Sequence, residues 1–269
     1  MSEHVLDRPQ RPQIRTSRII LPTEHGSWSI LLEPLVVGSA IAFSPAAPWI
    51  ALMTIGAFLT RQPLKVLFFS RNNPAQASSA LRFVLVFASF ALVGIAAALV
   101  LADAWVLFPF AVAAPLAVQQ TFFDLSRRSR NLVAEIAGAI AISSSAAALA
   151  LAGGLGLPAA IALWSIFVCR FIPSILYIRN RLKLEKGKKY DRVEPVAAHV
   201  LAFAIVGFLA LIGLASMLTA AMFAFLMVRS VHGLSSFRIK MKAMKIGIWE
   251  VVYGTLTVIS IIAGYYIGL

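Results

Sequence analysis

The 24 Lys and Arg residues of this chain fall in its N-terminal tail, on alternate connections between nine apolar segments, or in the segment ends leading into those connections. The apolar segments run over 28–45, 48–67, 80–101, 104–122, 132–152, 157–178, 196–214, 216–231 and 247–268. Basic residues cluster in the tail (Arg8 to Arg18) and at 61–82, 127–130, 170–192 and 229–245, whereas the connections near Pro45, Asp103, Gly154 and Ala215 carry none. Basic residues close to helix ends mark the cytoplasmic side of a membrane. The pattern predicts nine transmembrane helices, an N-terminus inside and a C-terminus outside.

Composition agrees with that constraint. Hydrophobic residues make up 60% of the chain, and several stretches approach the roughly 20 residues that cross a bilayer, which excludes a soluble fold. Alternation suited to a barrel is absent, so backbone groups in hydrocarbon must be satisfied within helices. The expected fold class is therefore all-α, a polytopic membrane helical bundle. A formal charge of +13 invites a nucleic-acid reading, but basic loops beside spans meet anionic headgroups, and no nucleic-acid partner is expected. The tail, taken as 1–20, has no apolar region before a cleavage site, so a removable signal peptide is not expected. Cys169 is the single cysteine, which excludes an intramolecular disulfide. The remainder, 21–269, reads as one transmembrane domain with inside loops at 61–79, 123–131, 179–195 and 232–247. The loops at 61–79 and 179–195 are longer than a connection requires, as functional loops often are.

Charged residues inside the apolar segments carry most of the functional signal. Glu33 lies seven residues beyond Gly26, about 10 Å along a helix from the polar boundary. Glu135 and Glu250 lie at similar depths beyond Arg130 and Lys245, and Arg170 and Arg229 sit before the inner ends of the sixth and eighth segments. Such charges cost about 2.5–3.5 kcal/mol each on insertion scales, so they face partners or a wet cavity. A polar vestibule open to the inside and closed outside is one reading; pairing for assembly alone is the other. Arg170, Ser174, Tyr177 and Arg181 recur at spacings of four, three and four, sharing one helical face interrupted by Pro173. Two guanidinium groups on one face suit a phosphate or diphosphate, although snorkelling to headgroups is the default for Arg179 and Arg181 and explains Arg170 less well. Arg61 and Lys65, one turn apart around Pro63 and followed by Arg71-Asn72-Asn73, form a second anion-binding candidate. Ser143-Ser144-Ser145, amid alanines and glycines, reads as close helix packing, as do Gly38, Gly56, Gly138 and Gly207, within one chain or between chains. Glu24 with His25, and Glu194 with His199, lack metal-ligand spacing, and no metal site is assigned. No Gly-rich phosphate loop, Ser-His-Asp order or HExxH motif is present.

The stretch Leu21-Pro22-Thr23-Glu24-His25-Gly26-Ser27-Trp28, with Glu33-Pro34 following, resembles the opening of the YwiC-like family of bacterial membrane proteins. The later Arg170…Tyr177-Ile178-Arg179-Asn180-Arg181 block and Lys245-Ile246-Gly247-Ile248-Trp249-Glu250 fit the same resemblance. It implies a multi-pass protein of the bacterial cytoplasmic (inner) membrane, with no assigned activity. More distantly, the nine-helix plan resembles the UbiA-type intramembrane prenyltransferases. That resemblance implies a cytoplasm-facing site and two Asp-rich motifs holding a prenyl diphosphate through Mg²⁺. Here the stretch after the second segment has no Asp, and the stretch after the sixth keeps only Lys189-Tyr190-Asp191-Arg192…Glu194. Mg²⁺ sites need carboxylates beside the substrate phosphates, so the usual Mg²⁺ ligands are missing and no cofactor is assigned.

Three functional classes follow. The first is a UbiA-like protein binding a lipid-linked anion, such as an isoprenoid diphosphate or other phosphorylated lipid, with prenyl or alkyl transfer as its reaction. Glu33 and Glu135 are its candidate bases. Arg61, Lys65, Asn72, Arg170, Ser174, Tyr177, Arg181, Asp191, Arg229, Glu250, His25 and Glu24 are its candidate substrate contacts. The others are a non-catalytic lipid-binding or assembly factor and a transporter. Transport is disfavoured because the outer half of the bundle bears only Asp103 at its rim, and alternating access needs polar groups further across.

Overall fold

The computed structural model of the protein describes residues 25–70 and 72–268, and these are helical with no strand. The tail 1–20, Glu24, the side chain of His25, and Arg71 lie outside the described residues. The helices are α1 (His25–Ile41), α2 (Ala47–Phe69), α3 (Pro74–Leu101), α4 (Phe108–Leu125, entered through a 3-10 turn, Ala104–Leu107), α5 (Leu132–Ala152), α6 (Leu157–Glu185), α7 (Val193–Leu211), α8 (Met217–Gly233) and α9 (Ala243–Ile267). Their starts follow local chemistry. Proline occupies the first turn of α2, α3, α4 and α6, where its missing N–H costs nothing. Asn73, Asn131 and Ser216 cap α3, α5 and α8 by accepting from Gln76 N, Val133 N and Thr219 N.

The helices run further than the apolar segments. Instead of loops over 61–79, 123–131, 179–195 and 232–247, the described non-helical connecting residues are 70, 72–73, 126–131, 186–192 and 234–242. Lys, Arg, Gln and Glu are good helix formers, so α2 and α6 continue after their apolar character ends. Nor does Pro173 break α6, which runs on to Glu185. Among the described residues, six helical segments are both long and apolar enough to cross a membrane: α3, α4 with its entering turn, α5, α6, α7 and α9. Helices α1 and α8 are apolar but shorter, and the last third of α2 carries Arg61, Gln62 and Lys65. The chain is a helical membrane protein.

Six helices form a closed ring, with α1 on α5, α5 on α6, α6 on α7, α7 on α8, α8 on α9, and α9 back on α1. Outside it, the α2–α3 pair and α4 flank α5, and α3 presents Leu85, Leu92 and Val100 outward. Helix α5 therefore touches α1, α2, α4 and α6. It can do so because its buried face is mostly Ala, Gly and Ser, which lets backbones approach closely where dispersion is the main packing force in lipid. Ser143, Ser144 and Ser145 are fully buried and donate to Ile140, Ala141 and Ile142 carbonyls of their own helix. Their role is packing. Trp164 Nε1 of α6 donates to Ile140 O at 3.0 Å, pinning α6 to α5. Within the ring, Val37, Phe167, Val206, Phe223 and Ile261 form the main apolar core, and a second cluster around Leu31, Ile50 and Leu149 joins α1, α2 and α5.

A glycine tests the close approach of α2 and α3. A Cβ on Gly56 would meet Ala91 N and Phe87 O at 2.7 Å, whereas one on Gly207 meets nothing within 4 Å. Gly56→Ala is expected to lower stability by about 1–3 kcal/mol, with Gly207→Ala neutral or slightly stabilising. Thermal unfolding in detergent compares the two, and equal midpoints would remove the tight α2–α3 contact.

Candidate functional site

Four helices bring one buried ionic cluster together. Glu33 comes from α1, Arg170 from α6, Arg229 from α8 and Glu250 from α9. Arg170 Nε lies 3.6 Å from Glu33 Oε2, and its Nη1 lies 3.8 Å from Glu250 Oε2. The same guanidinium donates to Ser174 Oγ and, at 3.3 Å, to the backbone carbonyl of Glu250. Arg229 donates to Glu250 Oε1, and its guanidinium covers the rings of Tyr177 at 4.2 Å and Tyr253 at 4.7 Å. Two cations and two anions make the cluster formally neutral. Arg170 is 3% exposed and Glu33 6%, so each depends on the other for compensation. Gly254 admits the carboxylate: a Cβ there would meet Glu33 Oε1 at 2.1 Å. Glu33 Oε2, Glu250 Oε2 and Arg170 Nε are buried without a hydrogen-bond partner, their ion pairs being too long for one.

A second layer of charge lies closer to the surface. Arg61 on α2 donates through Nε (3.1 Å) and Nη2 (2.7 Å) to Asp124 Oδ2 at the end of α4. With its amide oxygen turned toward Arg61, as the hydrogen-bonding network requires, Gln120 accepts from the same guanidinium at 2.9 and 3.1 Å. Lys65 Nζ donates to Ser129 Oγ at 2.7 Å, and among the described residues it forms no ion pair. Arg179 on α6 pairs with Glu135 Oε2 at 2.8 Å and donates to Arg130 O at 3.0 Å. The Arg61, Arg179 and Glu135 side chains are 28–34% exposed, against 3% for Arg170. These residues form a rim, and the buried cluster forms a floor.

Between rim and floor is a cavity of about 570 Å³. Its polar lining includes Glu33, Arg61, Lys65, Gln120, Asp124, Ser129, Glu135, Arg170, Ser174, Arg179 and Glu250. Its apolar wall includes Ile30, Phe58, Ile142, Phe171, Ile175 and Ile246. Cationic groups at the mouth, hydrocarbon along the side and a charge-balanced base match an amphiphile with an anionic head.

Seven of the sequence candidates meet in this cavity: Glu33, Arg61, Lys65, Glu135, Arg170, Ser174 and Glu250. Arg229, the floor member that is not among the cavity-lining residues, donates to Glu250 and lies over the Tyr177 ring. Arg181 does not snorkel. It is 2% exposed, pairs with Glu185 at 2.9 Å and donates to the Gly233 and Ile239 carbonyls. It shares a helical face with Arg170 but lies 11 residues, about 16 Å, further along it. Asp191 caps α7, its Oδ1 accepting from Val193 N at 2.8 Å and Glu194 N at 3.4 Å. Asn72 is exposed in the α2–α3 connection. The residues that sequence reasoning missed are Asp124, Gln120 and Ser129. Asp124 stands three residues before Arg127 at a segment end, where acid and base together look like solvated boundary charge. Among the described residues no three His, Cys, Asp or Glu side chains are grouped to hold a metal, and both floor carboxylates face Arg170. The donor set therefore does not fit the Mg²⁺-diphosphate arrangement that the prenyltransferase resemblance implies.

Residues 21–150 match the family model described as YwiC-like protein. That span contains Glu33 and most of the rim, while Arg170, Arg229 and Glu250 lie beyond it. No curated protein and no solved structure matches the chain.

Arg170→Ala leaves Glu33 buried without a cation, whereas Glu250 keeps Arg229. The substitution is expected to cost about 3–5 kcal/mol, and adding Glu33→Gln is expected to restore at least ~1 kcal/mol. A double-mutant cycle by chemical or thermal unfolding measures the coupling. Strictly additive effects would mean that the two charges do not support each other.

Proposed function

We propose that the chain spans the bacterial cytoplasmic membrane nine times, with the N-terminus and cavity mouth inside, and binds a lipid-linked phosphate or diphosphate in the cavity. The observation that carries this reading is the continuity of a cationic rim with an apolar wall above a neutralised floor. The anionic head lies at Lys65 and Arg61, and the hydrocarbon lies along Ile30, Phe58, Phe171 and Ile175. Lys65 contributes a charge that no carboxylate answers among the described residues, whereas Arg61 and Arg179 already answer Asp124 and Glu135. The basic connections 126–131, 186–192 and 234–242 support the orientation.

Alkyl transfer is a second reading, favoured by Glu33, a cavity-lining residue with a carboxylate oxygen that has no hydrogen-bond donor. In that reaction an acceptor hydroxyl or amine attacks C1 of a prenyl diphosphate and the C1–O bond breaks. The diphosphate leaves with the bonding electron pair toward the rim cations, and Glu33 takes the acceptor proton. No step uses a metal.

Thermal shift of the purified protein with geranylgeranyl diphosphate, in EDTA and with geranylgeraniol as the head-less control, tests binding. Stabilisation by the diphosphate alone is expected, with affinity falling about 10–100-fold in Lys65→Gln, as loss of one charged hydrogen bond implies. An equal response to the alcohol, or none to either, would sink the anionic-head assignment. Product formation lost in Glu33→Gln while binding persists would support transfer, whereas flux of the lipid across liposomes would point to transport instead.

A further inference from the structure

The connection between α8 and α9 has a composition that the cavity does not explain. It reads Phe237-Arg238-Ile239-Lys240-Met241-Lys242, a strict alternation of apolar and basic residues, followed by Ala243-Met244-Lys245 at the start of α9. No acidic residue occurs between Leu234 and Lys245. Phe237, Ile239 and Met244 are exposed by 86%, 68% and 78%. Lys240, Lys242 and Lys245 are exposed and form no ion pair among the described residues. Large apolar side chains held in water beside unpaired cations are costly in a soluble setting and favourable at an anionic bilayer surface.

The segment is also held in place. Arg181 donates to the carbonyls of Gly233 and Ile239, bracketing the connection from the end of α6. Arg238 reaches Glu185 at 3.3 Å. A chain fastened at these points presents its alternating side chains as a fixed surface.

We propose that residues 237–245 form an anionic-lipid-binding element, with Phe237, Ile239 and Met244 entering the acyl boundary and Lys240, Lys242 and Lys245 contacting phosphate headgroups. The partner is the anionic leaflet itself, whatever ligand the cavity takes. Because Ala243, Ile246 and Glu250 line the cavity, the element joins the membrane surface directly to the first turns of a cavity helix.

The test places a nitroxide at Phe237→Cys in a Cys169→Ala background and measures collision with oxygen and with a water-soluble nickel chelate. The protein is held in nanodiscs of phosphatidylcholine alone or phosphatidylcholine with phosphatidylglycerol. In the anionic discs the label is expected to be oxygen-accessible and nickel-protected. Protection should fall in phosphatidylcholine alone, and in a Lys240→Gln, Lys242→Gln, Lys245→Gln variant whose ring remains folded by gel filtration. Each lysine near such a surface is worth roughly fivefold in association, so the triple change should remove most of the lipid dependence. A label open to nickel in anionic discs overturns the proposal, as does equal protection with and without phosphatidylglycerol. Neither outcome bears on the cavity ligand, which the diphosphate titration reads separately.

Discussion

A guanidinium sealed inside a membrane bundle needs a counter-charge, and Arg170 draws its own from both ends of the chain. Glu33 is supplied by α1 and Glu250 by α9, the helices whose contact closes the ring. Arg229 then balances the second carboxylate, with Tyr177 and Tyr253 covering its guanidinium where lipid or water would otherwise meet it. In a medium of low dielectric, no member of this set is comfortable without the others. The electrostatics that close the ring therefore also make the cavity floor. A floor committed in this way is poorly suited to seizing a diphosphate, because an incoming anion must compete with two carboxylates for Arg170. The head of a ligand has better access at the rim, where Lys65 has only a serine hydroxyl to satisfy.

Small residues determine where that charge can sit. Helix α5 can touch four neighbours because Ala, Gly and Ser line its buried face. Its closeness to α1 and α6 brings the helices bearing Glu33 and Arg170 within ion-pair range. On the opposite side Gly254 leaves room for the Glu33 carboxylate against the backbone of α9. A single methyl group at that position would collide with the carboxylate and force it or α9 to shift. Packing and charge are thus one design problem here, and a change to either moves the other.

The helices were legible in apolar length, since each of the nine apolar segments falls largely within one helix of the described residues. Glu33, Arg170 and Glu250 were legible for a related reason, since charge deep within an apolar run is conspicuous. The rest of the site was hidden by position. Asp124 lies beside Arg127 and Arg128 at a helix end, where its ion pair with Arg61, 63 residues away, leaves no local trace. Arg181 shares a helical face with Arg170 and, lying past the apolar segment, read as a headgroup-facing side chain. What separates them is that its partners are backbone carbonyls at Gly233 and Ile239, atoms that every residue possesses. Loop lengths were overestimated because apolarity, rather than helix propensity, marked the segment ends.

The near-balance of charge in the cavity has a consequence for selectivity. If the cavity opens to the cytoplasm as proposed, a pocket with several unpaired guanidinium groups would collect any soluble phosphate, and nucleotides would outnumber a membrane lipid. Here Arg61 and Arg179 keep their donors but have most of their charge answered by Asp124 and Glu135. A soluble anion at such a rim gains a lysine that no carboxylate answers and a few hydrogen bonds, which offset its desolvation only in part. An amphiphile gains the same contacts and also transfers its chain along Ile30, Phe58, Phe171 and Ile175, a wall that a nucleotide cannot use. Selectivity on this reading comes from pairing most of the cations, so that the head alone is insufficient and the hydrocarbon decides.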